Sequence, residues 1–153
     1  MSKITFSVKS ISDVLQIGNL NIPEYQRPYK WERRHIRNLV YDIREAVDGN
    51  ISEYRIGSII LHNKDSENID IGDGQQRLIS ISLFMYFISK ANLPKCADNL
   101  LNGSFVGISQ LHAQENYDEW RFLCGLIPRE EIDIIRDYMM NQCKVSVIEM
   151  PSE

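Results

Sequence analysis

Residues 69–77 read Ile-Asp-Ile-Gly-Asp-Gly-Gln-Gln-Arg, and Asp73, Gly74, Gln75, Gln76 and Arg77 among them have the types and spacing best suited to chemistry. Ile69 and Ile71 alternate around Asp70 as in a short strand. Beyond Arg77 the period changes, with Leu78, Ile81, Met85 and Ile88 recurring at helical spacing. Asp-Gly favours a hairpin, but no period-two strand returns, so the pattern predicts strand, tight turn and helix. A helix start leaves backbone N–H groups unpaired and partly positive, which suits a phosphate. An arginine there opposes the field of its own helix, so a bound anion accounts for Arg77 better than helix stability does. Asp73, at the mouth of the turn, is placed to hold a divalent metal on the same phosphates or to orient a water. Gln75 and Gln76 offer uncharged donors and acceptors for a ribose, a base edge or a nucleophilic water. The same spacing also fits a plain N-cap at Asp73 with Arg77 paired to a nearby carboxylate.

A second cluster lies upstream, where residues 22–31 read Ile-Pro-Glu-Tyr-Gln-Arg-Pro-Tyr-Lys-Trp. Pro23 and Pro28 push their preceding residues toward extended backbone, so this is a loop. Tyr25, Tyr29 and Trp31 interleave with Arg27 and Lys30, the combination that stacks a planar base and contacts a phosphate. Gln26 and Arg27 sit between the prolines as a further polar pair. The rings also suit a packing role, pinning the loop to the core.

The elements that must position these residues follow from periodicity. Residues 4–8 read as an edge strand, and Ser10 as the N-cap of a short helix ending near Gly18. Residues 19–23 form an extended connector. Residues 31–47 form an amphipathic helix with Ile36, Leu39, Val40, Ile43 and Val47 inward and Gly49 at its end. Its other side carries Arg33, Arg34, Arg37 and Arg44; residues 27–44 hold six basic side chains against Glu32 and Asp42. That face is either solvated charge or a docking surface for DNA or a partner. Residues 54–62 are a β-branched strand interrupted by Gly57-Ser58, a bulge or a place of close approach. A polar hairpin-like loop spans 63–68. The helix after Arg77 is apolar nearly all round and is expected to be central and buried. Residues 92–110 are irregular, the expected mobile segment. Helices follow at 112–126, with Trp120 and Leu123 inward, and at 129–141, with Ile132, Ile135 and Met139 inward. Pro128 separates them. Residues 144–150 alternate as a last strand, with Val145, Val147 and Glu149 on one face.

The chain of 153 residues is read as one domain, and its 43% hydrophobic and 25% charged composition is ordinary for a soluble globular protein. No signal peptide begins it and its longest apolar stretch is too short for a bilayer, so a cytoplasmic, non-membrane protein is expected. Cys96, Cys124 and Cys143 are odd in number and widely spaced, and neither a disulfide framework nor a zinc site is suggested. Lys and Arg number 8 against 6 acidic residues over residues 1–50, 5 against 6 over 51–100 and 4 against 9 over 101–153. A bulk polyanion binder is disfavoured, while a local basic face remains open.

Taken together, Ile22 through Trp31, Gly57-Ser58-Ile59-Ile60 and Asp73-Gly74-Gln75-Gln76-Arg77-Leu78 resemble the N-terminal domain of GmrSD-type restriction and anti-phage proteins. The match is good over residues 11–90 and weaker elsewhere; Ile79 and Ser80 stand where the family usually has threonines. The resemblance implies an α+β fold of ParB/sulfiredoxin-like type, a small mixed sheet with packed helices over residues 1–153. It implies a nucleoside-triphosphate-binding and hydrolysing sensor domain of a modification-dependent DNA restriction system, with Mg2+ accompanying the triphosphate. Asp73, Gln75, Gln76 and Arg77 would be catalytic and Asp73 a metal ligand. Gly74, Gln26, Arg27, Tyr29, Gly57 and Ser58 would bind nucleotide. Tyr25, Lys30, Trp31, Arg33 and Arg37 would face DNA, modified foreign DNA in the family. Nuclease activity is expected in a C-terminal domain or partner subunit, this chain being a fragment or a truncated relative. The alternative is a non-catalytic DNA-binding module. Direct nuclease action is disfavoured, because the chain has no clustered carboxylates or His-Asn pair.

Overall fold

A computed structural model of the chain describes residues 4–17, 20–21, 30–63, 69–88 and 110–151. In order, the elements are β1 (Thr5–Ser10), α1 (Ile11–Leu15), β2 (Leu20–Asn21), α2 (Arg33–Asp48), β3 (Tyr54–Asn63), β4 (Ile69–Asp73), α3 (Gln75–Ile88), α4 (Gln110–Leu126), α5 (Arg129–Asn141) and β5 (Cys143–Met150). The five strands form one mixed sheet in the order β1-β5-β3-β4-β2. The β1/β5 and β3/β4 pairs are antiparallel, whereas β3/β5 and β2/β4 are parallel. The fold is therefore α+β with a mixed sheet and packed helices, as the family resemblance implies.

Strand β1 is the expected edge. Its one exposed large ring, Phe6, is 75% accessible. Ser10 ends β1 and caps α1, its hydroxyl accepting the Asp13 N–H at 3.1 Å. The last strand in sequence is interior in space. Strand β5 lies between β1 and β3, and its alternation buries Cys143, Val145 and Val147 while leaving Glu149 partly exposed. The connector around Leu20 contributes a two-residue strand beside β4.

The core gathers on one face of the sheet. Val145 and Val147 of β5, Ile59 and Leu61 of β3 and Ile71 of β4 meet the buried stripes of the helices. In α2 the inward set is Ile36, Leu39, Val40, Ile43 and Ala46. Val47, expected inward, is only partly buried, because the stripe drifts around the helix and Ala46 falls on the core side in its last turn. In α3, Leu78 through Phe84 are all buried, Ser80 and Ser82 included. These two hydroxyls satisfy themselves on the preceding turn, on the Gln76 and Leu78 carbonyl oxygens at 2.9 and 2.7 Å. A buried Ile or Leu contributes about 1.5–3 kcal/mol and an exposed ion pair about 0–1, so the apolar stripes rather than surface pairs fix the helices. Helices α4 and α5 bury Trp120, Ile132, Ile135 and Met139 as expected, with Leu123 partly buried. The loop at 64–68, Gly18, Cys96 and the segment 92–109 lie outside the described residues.

Candidate functional site

The turn from β4 into α3 is held directly against β3. Gly74 has φ +96°, and a β-carbon there would stand 2.9 Å from the Ser58 carbonyl oxygen. The left-handed backbone and the close approach both require glycine. Across the turn, the β3/β5 register shifts between Arg55 and Ser58, the bulge that Gly57 signals in the sequence. Gly57 has φ +126°, and a β-carbon on it would lie 2.7 Å from Arg77 Nη1. Arg77, the third residue of α3, thus lays its guanidinium over bare backbone. It is exposed and, among the described residues, has no carboxylate partner.

Beside it opens a cleft of about 380 Å3 between α2 and β3, within the ordinary range for small-molecule sites. Trp31, His35, Asn38, Leu39 and Asp42 form one wall; Tyr54, Arg55, Ile56 and Gly57 form the other, with Arg77 alongside Gly57. His35, Asn38, Leu39 and Asp42 recur at helical spacing, so α2 turns one continuous flank to the cleft. Burial raises the Tyr54 phenol above its ordinary pKa, the Asp42 carboxylate adds to the rise and Arg77 opposes it. The cleft is therefore bipolar, with Arg77 and Asp42 both felt at the Tyr54 hydroxyl.

The entrance to α2 is anchored from two helices. Gln76 Oε1 accepts the Lys30 N–H at 2.8 Å, and Asn116 of α4 donates to the Trp31 carbonyl oxygen. His35 Nδ1 accepts the Glu32 N–H at 2.9 Å, so a neutral His35 carries its proton on Nε2. The Trp31 and His35 rings stand 5.4 Å apart, tilted by 31°.

The arginine flank of α2 is divided. Arg37 pairs with the buried Glu119 of α4 at 3.3 Å, and Arg44 with Glu131 of α5 at 2.7 Å. These pairs tie α2 to its neighbours. Arg34 reaches Glu32 at 3.1 Å. Arg33 is exposed and makes no ion pair among the described residues, and Lys30 is exposed.

Arg77, Gly57 and Trp31 thus meet at one cleft, with Gln76 gripping its entrance and Gly74 and Ser58 docked behind it. Tyr25, Gln26, Arg27 and Tyr29 lie outside the described residues, as do the side chains of Asp73 and Gln75. The sequence reading did not single out His35, Asn38, Asp42, Tyr54 and Arg55. A polar series at i, i+3 and i+7 flanking the core residue Leu39 is the signal that could have found the first three. Among the described residues no group of three or more His, Cys, Asp or Glu side chains is arranged to hold a metal, and no described helix is long and apolar enough to cross a membrane. Cys124 and Cys143 are free, and burial pushes their thiols up to about 11 and about 12.

A comparison with curated proteins returns no match. One family model does match, over residues 8–150, a span that includes every element lining the cleft: that of the GmrSD restriction endonuclease N-terminal domain, the restriction-system family to which this chain belongs.

Proposed function

We propose that this domain binds a nucleoside triphosphate in the cleft between α2 and β3 and hydrolyses it, as the sensor module of a DNA restriction or defence system. A ParB/sulfiredoxin-like fold is part of this reading, in keeping with the mixed sheet and its helical cover. The observation that carries the proposal is the exposed Arg77 guanidinium lying over Gly57, in the first turn of α3 and on the cleft. There the helix field and the side-chain charge act on the same anion.

On this reading the phosphates lie at the α3 start, held by Arg77 and the backbone amides of its first turn. Water adds to the terminal phosphorus as the bond to the bridging oxygen breaks, giving nucleoside diphosphate and inorganic phosphate. Asp73, which ends β4, and Gln75, which opens α3, are the residues the chain brings to the turn to orient that water. Magnesium is usually held by substrate phosphates and one or two carboxylates rather than by an all-protein cage. Asp73 is the carboxylate that would meet it, and the ion would neutralise phosphate charge.

DNA belongs to the proposal as the molecule sensed, with Lys30 and Arg33 the exposed cations at the α2 entrance. Cleavage is assigned to a C-terminal nuclease domain or partner subunit. A thermal-shift panel of the four ribonucleoside triphosphates with magnesium tests the nucleotide site, because a ligand bound only by the folded state raises Tm. At least one triphosphate is expected to raise it; four flat responses at millimolar ligand contradict the proposal.

A further inference from the structure

We propose that Asn116 is a positioning residue for the nucleobase, holding Trp31 from behind so that its indole serves as the stacking surface at the cleft. The inference rests on the nucleotide reading above and adds which part of the ligand Trp31 takes.

Trp31 lines the cleft, and it immediately precedes Glu32, the N-cap of α2, so it lies outside the helix itself. The backbone on either side of it is fixed by side chains from elsewhere. Its own carbonyl oxygen accepts from Asn116, and the N–H of the preceding residue, Lys30, donates to Gln76. Asn116 is 1% exposed. A buried amide is costly unless its polar atoms are engaged, so an asparagine directed at a loop carbonyl from inside the core fixes that loop firmly.

Asn116 does not act alone on α4. Glu119 and Trp120 follow at i+3 and i+4, on the same side of the helix. Glu119 meets Arg37 of α2 at 3.3 Å, and Trp120 Nε1 donates to the Ser80 carbonyl oxygen of α3 at 3.0 Å. One flank of α4 thus joins Trp31 and the α2 helix that follows it to the helix carrying Arg77. The distance between the ring and the guanidinium is set by rigid elements. That is the requirement for binding a base on one and its phosphates on the other.

The test separates base from phosphate. Binding of the four magnesium ribonucleoside triphosphates and of inorganic tripolyphosphate, which carries the phosphates without a base, is measured for wild type, Asn116→Asp, Asn116→Ala and Trp31→Ala. Asn116→Asp keeps the shape and loses the donor; Asn116→Ala and Trp31→Ala, the latter at a half-buried position, serve if a buried carboxylate prevents folding. Loss of a base–aromatic stack is expected to weaken nucleotide binding about tenfold, with tripolyphosphate affinity changed less than about twofold, and Trp31→Phe should restore most of the nucleotide affinity. Equal weakening for both ligands, or unchanged nucleotide binding, overturns the positioning role while leaving the nucleotide site standing. A wild type that binds neither ligand overturns both.

Discussion

Arg77 occupies the space that a side chain at position 57 would need: a β-carbon on Gly57 would come within 2.7 Å of its Nη1. The bulge in β3 and the first turn of α3 are thereby matched, one giving up its side chain so that the other can lie flat beside the cleft. Neither residue explains the other through stability. Arg77 is exposed and lacks a carboxylate partner among the described residues, and Gly57 adopts a backbone that other residues resist.

The two glycines of the site are predicted to fail differently when replaced by alanine. Gly57→Ala meets the flexible end of Arg77, so it should displace the guanidinium and weaken anion binding, with about 1–3 kcal/mol of backbone strain from φ +126°. Gly74→Ala meets the Ser58 carbonyl at 2.9 Å, a backbone atom that cannot swing away. Its loss should appear chiefly as stability and exceed that of Gly57→Ala. Urea unfolding alongside ligand titration of both variants separates the two effects.

Trp120→Phe should destabilise the fold without touching the cleft directly. The indole is buried, donates to the Ser80 carbonyl and stacks 4.5 Å from Phe84. Phenylalanine leaves a buried acceptor less well satisfied and a small void, at about 1–3 kcal/mol. For a domain of this size that is a fall of roughly 2–12 °C in Tm, read by calorimetry.

Stability should also decline at alkaline pH. Burial raises the Cys143 thiol from 9.0 to about 12, and the Tyr54 and Tyr138 phenols are raised as well. In the unfolded chain these groups lose their protons near their ordinary values, while the folded state retains them. The stabilisation from neutral, buried Cys143 is therefore complete below about pH 9 and is lost between there and about pH 12. Cys143→Ala should flatten part of that decline in urea midpoints measured from pH 8 to 11. A variant with an unchanged slope would show that the thiol titrates alike in the folded and unfolded states, contradicting the raised value.

Much of this could be read from residue order. The switch from period two to helical period across Asp73-Gly74 locates α3, and Pro128 divides α4 from α5, because both are local signals. The interior place of β5 is not local. Its alternation gives a strand, but pairing with β1 and β3 depends on partners more than 80 residues away. The cleft was half legible for the same reason. Arg77 and Gly57 stand out by type, whereas Asn38, Asp42 and Arg55 are unremarkable polar residues until α2 is laid across β3. The arginine flank of α2 shows the reverse: Arg33, Arg34, Arg37 and Arg44 suggest a docking face, yet Arg37 and Arg44 face acidic residues of α4 and α5 that sequence spacing could not pair with them.

Titration of a magnesium nucleoside triphosphate into the wild-type domain and into Arg77→Ala tests the central claim most directly. Because the side chain is exposed and without a carboxylate partner among the described residues, the variant should keep its Tm. Its affinity should fall by about 1.5–3 kcal/mol, roughly 10- to 150-fold, the usual worth of a charged hydrogen bond. Equal affinity in the two proteins would contradict the account, since the anion would then be held somewhere other than the start of α3.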